Sequence, residues 1–111
     1  MKLKVIGSGS KGNSYALISE NEILLLEAGC RLIDVKKAIN FQIGKVVGCL
    51  ATHAHKDHIG YVKDFLSSGI KIYTNDETKE VVDCAYGEWL YGVPEKEMFK
   101  VGGFPILKIV L

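Results

Sequence analysis

All three histidines of the chain fall within six residues, in the stretch Thr52-His53-Ala54-His55-Lys56-Asp57-His58. Neutral imidazole and carboxylate are ligands for borderline first-row metals, zinc foremost. A solvated turn that merely happens to be rich in His is the competing explanation. Imidazoles packed this closely repel one another once protonated, and a metal is the usual reason to place them so. His53 and His55 are two apart, so on an extended segment they point to the same side. Asp57 continues that series, and His58 is offset to the other side. The spacing therefore divides four donors into two pairs, His53 with His55 and Asp57 with His58, each pair able to grip one of two neighbouring ions. Two ions side by side can activate a bridging water and clamp both attacking and leaving oxygens.

The segments around the cluster must position it. Lys45-Val46-Val47-Gly48-Cys49-Leu50-Ala51 is an apolar strand that delivers the chain directly into the histidines. After them, Ile59, Val62, Phe65 and Leu66 recur at helical spacing, with Gly69 placed as a C-terminal stop. Strand, ligand loop, then helix is the geometry of a site at the carboxyl end of a sheet strand. Upstream, Leu3 and Val5 alternate with Lys2 and Lys4 as a short strand. The loop Gly7-Ser8-Gly9-Ser10-Lys11-Gly12-Asn13-Ser14 follows. It lacks the Gly-Lys-Ser/Thr ending of a Walker loop. Two readings of it stay open: a plain hairpin connection, and a loop whose backbone N–H groups face an anion. Tyr15–Ile18 and Ile23–Leu26 read as further strands around a turn at Glu20-Asn21, the second apolar throughout and so buried on both faces. Glu27, at its end, must be hydrogen-bonded, paired or exposed at the sheet's edge. Leu32, Val35, Ala38 and Ile39 form a helical stripe, with Asp34 as a candidate cap and Asn40 and Gly44 suited to its end.

Downstream, Ile70–Tyr73 alternates as a strand, and Thr74 through Glu77 has the spacing of a capping box. Val81, Val82, Ala85, Tyr86 and Trp89 continue as one helical stripe, read as core rather than as an aromatic platform. Gly92-Val93-Pro94 breaks it. Lys96–Lys100 reads as a charged link, and Phe104–Leu111 as a strand-like run. Such a run needs covering, so either it is tucked into a sheet or the natural chain is longer.

At 111 residues, 48% of them apolar and 24% charged, the chain is expected to be one globular, soluble domain. The formal net charge of +1 favours neither nucleic acid nor an anionic membrane in bulk. Cys30, Cys49 and Cys84 are odd in number and include no CxxC pair, so they read as free, inert thiols in a reducing compartment. The first residues lack the apolar core of a signal peptide, and no run approaches the ~18 apolar residues of a membrane span. Cytoplasm is the expected location.

His53-Ala54-His55-Lys56-Asp57-His58 matches the HxHxDH signature, and the chain resembles the metallo-β-lactamase superfamily at this point. The Gly7–Ser14 loop, Leu24-Leu25-Leu26-Glu27-Ala28-Gly29 and Ala51-Thr52-His53 are similar to the exonuclease- and phosphodiesterase-like branch found in bacteria and their phages. The resemblance covers nearly all of the chain. It implies an α/β class, as an α+β sandwich: the N-terminal half of a four-layer αββα fold, with a mixed sheet and flanking helices, over residues 1–111. It implies that His53 and His55 bind one metal and Asp57 and His58 the second, with Asp57 also orienting the attacking water. The cofactor implied is zinc, as one ion or two, with Mn²⁺ or Fe²⁺ as alternatives. The family usually carries Asp where this chain has Glu27.

The family also completes its site with a third His for the first metal, an Asp bridging both and another His for the second, all beyond this motif. No histidine follows His58. Asp64, Asp76 and Asp83 lie in predicted helices or their caps. The resemblance therefore implies half of a binuclear site.

Several functions follow as expectations. The first is a metal-dependent phosphodiester hydrolase acting on nucleic acid. A thioester or lactam hydrolase is a second, which His58 and the Gly-Ser loop disfavour. A third is a non-catalytic metal-binding or structural fragment. In a fourth, a homo-oligomer formed through the exposed half-sheet supplies the missing ligands in trans.

Overall fold

The structure is a computed structural model and describes residues 1–52, 59–75, 90–92 and 98–107. Six strands form one sheet in chain order: β1 (Lys2–Gly7), β2 (Ser14–Ile18), β3 (Ile23–Leu26), β4 (Val46–Leu50), β5 (Ile72–Thr74) and β6 (Leu90–Gly92). β1, β2 and β3 pair antiparallel, whereas β3–β4, β4–β5 and β5–β6 pair parallel. This is the mixed sheet expected, with helices α1 (Leu32–Ala38) and α2 (Val62–Ser67) in the crossovers. A separate antiparallel hairpin is made of β7 (Met98–Val101) and β8 (Phe104–Leu107).

The pleat explains why β3 is apolar throughout. Ile23 and Leu25 face the helices, where they join Val35, Ile39, Cys49, Phe65, Leu66 and Ile72 in the main core. Leu24 faces the other way, against Val101 and Phe104 of the hairpin. A strand sandwiched between two layers has no solvent face on which a polar residue is tolerated. Gly48 lies under the hairpin too: a Cβ there would stand 2.8 Å from Val101 and 2.9 Å from the Tyr73 ring.

Several local expectations need correction. Asp34 does not cap α1. The N-cap is Arg31, and Asp34 lies in the first turn, where its carboxylate accepts from the Arg31 guanidinium at 3.1 Å. Asn40, at φ 54°, ends that helix as expected, but Gly44 lies in a following single turn, Ile43–Lys45. Gly69 closes α2 at φ 91°, as read from the sequence. Thr74 is the last residue of β5, buried, with its hydroxyl donating to the Ala51 carbonyl at 2.7 Å, and Glu77, the other half of the expected capping box, lies outside the described residues. Lys96–Lys100 is not simply a charged link, because β7 begins at Met98 and pairs with β8 through a two-residue Gly102-Gly103 turn. Gly102 takes φ 57°, and its partner across space, the Glu22 carboxylate, accepts from the Gly103 N–H at 2.9 Å. β6 had no counterpart in the sequence reading. The predicted helical stripe Val81–Trp89 lies outside the described residues.

Candidate metal centre

Parallel strands point their carboxyl ends the same way, so β3, β4 and β5 deliver Glu27, Thr52 and Asn75 to one edge of the sheet. β2 runs antiparallel to β3 with Tyr15 opposite Leu26. The Gly-Ser loop that precedes β2 therefore lies at this edge as well. The buried polar or charged residues among the described ones are Asn13, Ser14, Glu27 and Thr74. All four are at this edge. Elsewhere the interior is apolar, so the edge is where the fold accepts the cost of burying polar groups.

Each is tied to a neighbouring segment. The Ser14 hydroxyl donates to the Glu27 carbonyl at 3.0 Å and accepts from the Cys30 N–H at 3.1 Å. The Gly29 N–H donates to the Asn13 carbonyl at 2.9 Å. Asn13 also folds the Gly-Ser loop on itself: its amide donates to the Gly9 carbonyl at 2.8 Å, and its Oδ1 accepts from the Gly9 N–H at 3.1 Å. Of the two readings of that loop, its hairpin connection between β1 and β2 is observed.

Glu27 is the pivot of the edge. Its backbone is left-handed, at φ 67°, a conformation uncommon for a residue with a long side chain. The carboxylate is buried and accepts from Thr52 twice, from the N–H at 3.0 Å and from the hydroxyl. Of the options left open for it, hydrogen bonding is observed. Thr52 immediately precedes the first histidine of the motif. Its carbonyl accepts from the Asn75 amide at 3.3 Å. On the far side, the Tyr61 N–H donates to the Ala28 carbonyl at 2.9 Å, tying the start of α2 back to the β3 exit.

His53, His55, Asp57 and His58 themselves lie outside the described residues, between Thr52 and Ile59. The structure gives both ends of that segment and the strands that carry it. Asp64 lies in the first turn of α2, as read from the sequence. Asp76 and Asp83 lie outside the described residues. The sequence singled out Glu27 but not Thr52, Asn75 or Ser14. Ser14 and Thr52 fall inside stretches that carry the family resemblance, but nothing in the linear chain marks the bonds they make, and nothing marks Asn75.

Cys49 is buried on β4, three residues before Thr52, and burial pushes its thiol well above the usual range. It is an inert core residue, as expected. Cys30 is half-buried beside Gly7, and Cys84 lies outside the described residues. Among the described residues no helix is long and apolar enough to cross a membrane.

Comparison with known proteins places this architecture. The chain is 28% identical over 105 residues to the exodeoxyribonuclease WalJ of Streptococcus pneumoniae strains D39 and R6. That match covers 91% of this chain but only 39% of the relative, so the chain spans well under half the length of the curated proteins it matches. Among solved structures, the BLEG-1 B3 metallo-beta-lactamase superposes with a TM-score of 0.75 at 19% identity, over 94% of this chain and 58% of that one. A chemotaxis sensor, ODP, solved as a peroxy diiron species, superposes at 0.72 and 17% identity, over 87% of this chain and 43% of that one. These likenesses establish the fold. A family model described as the metallo-beta-lactamase superfamily matches residues 7–97, and the chain belongs to that superfamily.

Proposed function

We propose that this chain carries the metal-binding motif of a metal-dependent hydrolase, with His53 and His55 as ligands of one zinc ion and Asp57 and His58 of a second. The substrate class proposed is a nucleic-acid phosphodiester. The observation that supports this best is the collection of buried polar groups at one sheet edge, where Glu27 grips the residue that leads into the motif. The donor set suits zinc, being three imidazoles and one carboxylate. The phosphodiester assignment is supported by the likeness to an exodeoxyribonuclease over nearly all of this chain.

When bound, zinc supplies Lewis acidity toward a phosphoryl oxygen and a nucleophile available at neutral pH. Asp57, besides holding an ion, would accept a hydrogen bond from the attacking water and so orient it. Four donors shared between two ions leave two for each, one fewer than a catalytic zinc usually has. Binding by these 111 residues alone is therefore weak, and full activity draws further donors from elsewhere in the protein or from a second chain.

Zinc titration by calorimetry tests the ligand assignment. Heat lost in the His53→Ala/His55→Ala double variant supports it, and an unchanged isotherm rejects it. Tight binding of two equivalents by the unaltered chain would instead reject the two-donor arithmetic. The substrate is tested with end-labelled single- and double-stranded DNA in Zn²⁺ or Mn²⁺. Metal-dependent nucleotide release that disappears in His55→Ala is the expected result, and release that survives the substitution refutes the site.

A further inference from the structure

We propose that Asn75 is a positioning residue for the metal site, acting through the peptide of Thr52. The inference rests on the ligand assignment above. It concerns a residue to which neither the motif nor the resemblance gives a role.

Thr52 is held from opposite sides. Its N–H and hydroxyl donate to the Glu27 carboxylate at the end of β3, while its carbonyl accepts from the Asn75 side-chain amide, just past β5. The carbonyl of Ala51, one residue earlier, accepts from the buried Thr74 hydroxyl. Both peptides that lead out of β4 are thus fixed by the strands on either side of it. The carbonyl of Thr52 belongs to the peptide that ends at the nitrogen of His53. Fixing its direction fixes the plane of the first peptide of the motif, since a peptide unit is rigid. Thr52 itself is exposed, so packing does not orient it. Hydrogen bonds from two different strands do.

Glu27 can act as one jaw because of its backbone. Left-handed φ turns its side chain back over the end of the sheet toward β4, and the pose is retained by the Ser14 hydroxyl on its carbonyl and by its own N–H donating to the Leu50 carbonyl at 2.6 Å. Asn75 is the opposing jaw. With one jaw removed, Thr52 is free to turn about the other, and the peptide that leads into the motif loses its fixed direction. Partners that orient metal ligands typically change affinity by about 10–100-fold when mutated.

The test compares the unaltered chain with Asn75→Ala and Asn75→Gln. Cobalt(II) serves as the probe because its visible absorption reports coordination geometry. Asn75→Ala is expected to weaken Co²⁺ binding by about tenfold or more and to alter the absorption bands, with far-ultraviolet circular dichroism unchanged. Asn75→Gln, which keeps an amide donor, recovers part of the affinity. Equal affinity and an identical spectrum in Asn75→Ala overturn the proposal.

A second measurement needs no metal. The Thr52 amide hydrogen donates to Glu27, and losing the Asn75 bond to the carbonyl of the same residue lowers the cost of opening Thr52 by about one hydrogen bond, so it is expected to exchange about two- to tenfold faster in Asn75→Ala. Unchanged exchange also overturns the proposal. If the unaltered chain shows no Co²⁺ binding that depends on His53 and His55, the ligand assignment fails. The exchange rates then still decide whether Asn75 holds Thr52.

Discussion

Gly12 is a position where a single added methyl group should do heavy damage for its size. Its φ is 147°, a region that side chains rarely adopt, and a Cβ there would overlap the Gly29 carbonyl oxygen. That carbonyl cannot simply retreat, because the adjacent Gly29 N–H is bonded to Asn13 at 2.9 Å and Cys30 N–H to Ser14 at 3.1 Å. Gly9, in the same loop, isolates the backbone contribution. It also has positive φ, at 115°, but nothing lies within 4 Å of a Cβ built on it. Gly9→Ala should therefore cost only the conformational strain, about 1–2 kcal/mol. Gly12→Ala adds displacement of the β3 exit, bringing the total to about 3–5 kcal/mol. That is a large share of the ~5–15 kcal/mol available to a domain. Urea unfolding reads the difference. With a slope of about 1–3 kcal/mol per molar, the Gly12→Ala midpoint should lie roughly 1 M below that of Gly9→Ala. Coincident midpoints would refute the claim that these two loops touch.

Other positions give smaller and equally definite expectations. Thr74→Val keeps the shape of a buried residue and removes the hydroxyl bonded to Ala51, so it should cost about 1–2 kcal/mol in a thermal or urea melt; no loss would mean that the bond is not formed. Cys49 should resist alkylation at pH 8.5 until the protein is unfolded, as read by peptide mass mapping, while Cys30 labels in the native state. The sign for stability follows from the raised folded-state value. The contribution is complete below the ordinary thiol pKa of about 8.5 and declines as pH rises above it, because only the unfolded chain then ionises readily. Arg31→Ala should leave the melting temperature unchanged within error, since its pair with Asp34 is a solvated one on the helix surface.

Most of the sheet is legible in the sequence because its strands advertise their burial. Ile23–Leu26 reads as a strand covered on both faces, and both faces are indeed covered. Val46–Leu50 reads as the strand that carries the histidines, and Val62–Ser67 follows as a helix with Gly69 at its end. The failures have a common cause. Leu90–Gly92 contributes three residues to a parallel pair, too short a run to show periodicity. β7 was hidden in a charged run because its pairing comes from the Gly102-Gly103 turn and not from alternation. Asp34 is a good cap former in isolation, yet a neighbouring arginine claims its carboxylate. At the site, the proposed ligands are legible by residue type and spacing alone. The residues that hold the approach to it, Ser14, Thr52 and Asn75, bond to groups far away in sequence, and such bonds leave no local pattern.

The change of strand sense at β3 sets the order in which this edge can be assembled. β1, β2 and β3 are joined by short turns, so their contacts close small loops. The bond from Thr52 to Glu27 spans 25 residues and that from Thr74 to Ala51 spans 23. Contacts of that separation carry a larger entropic cost of closure and lag behind local hairpins during folding. The antiparallel meander is thus a template already standing when the crossovers dock. The bonds that fix Thr52, the residue leading into the histidine motif, therefore close only after the sheet they span has formed.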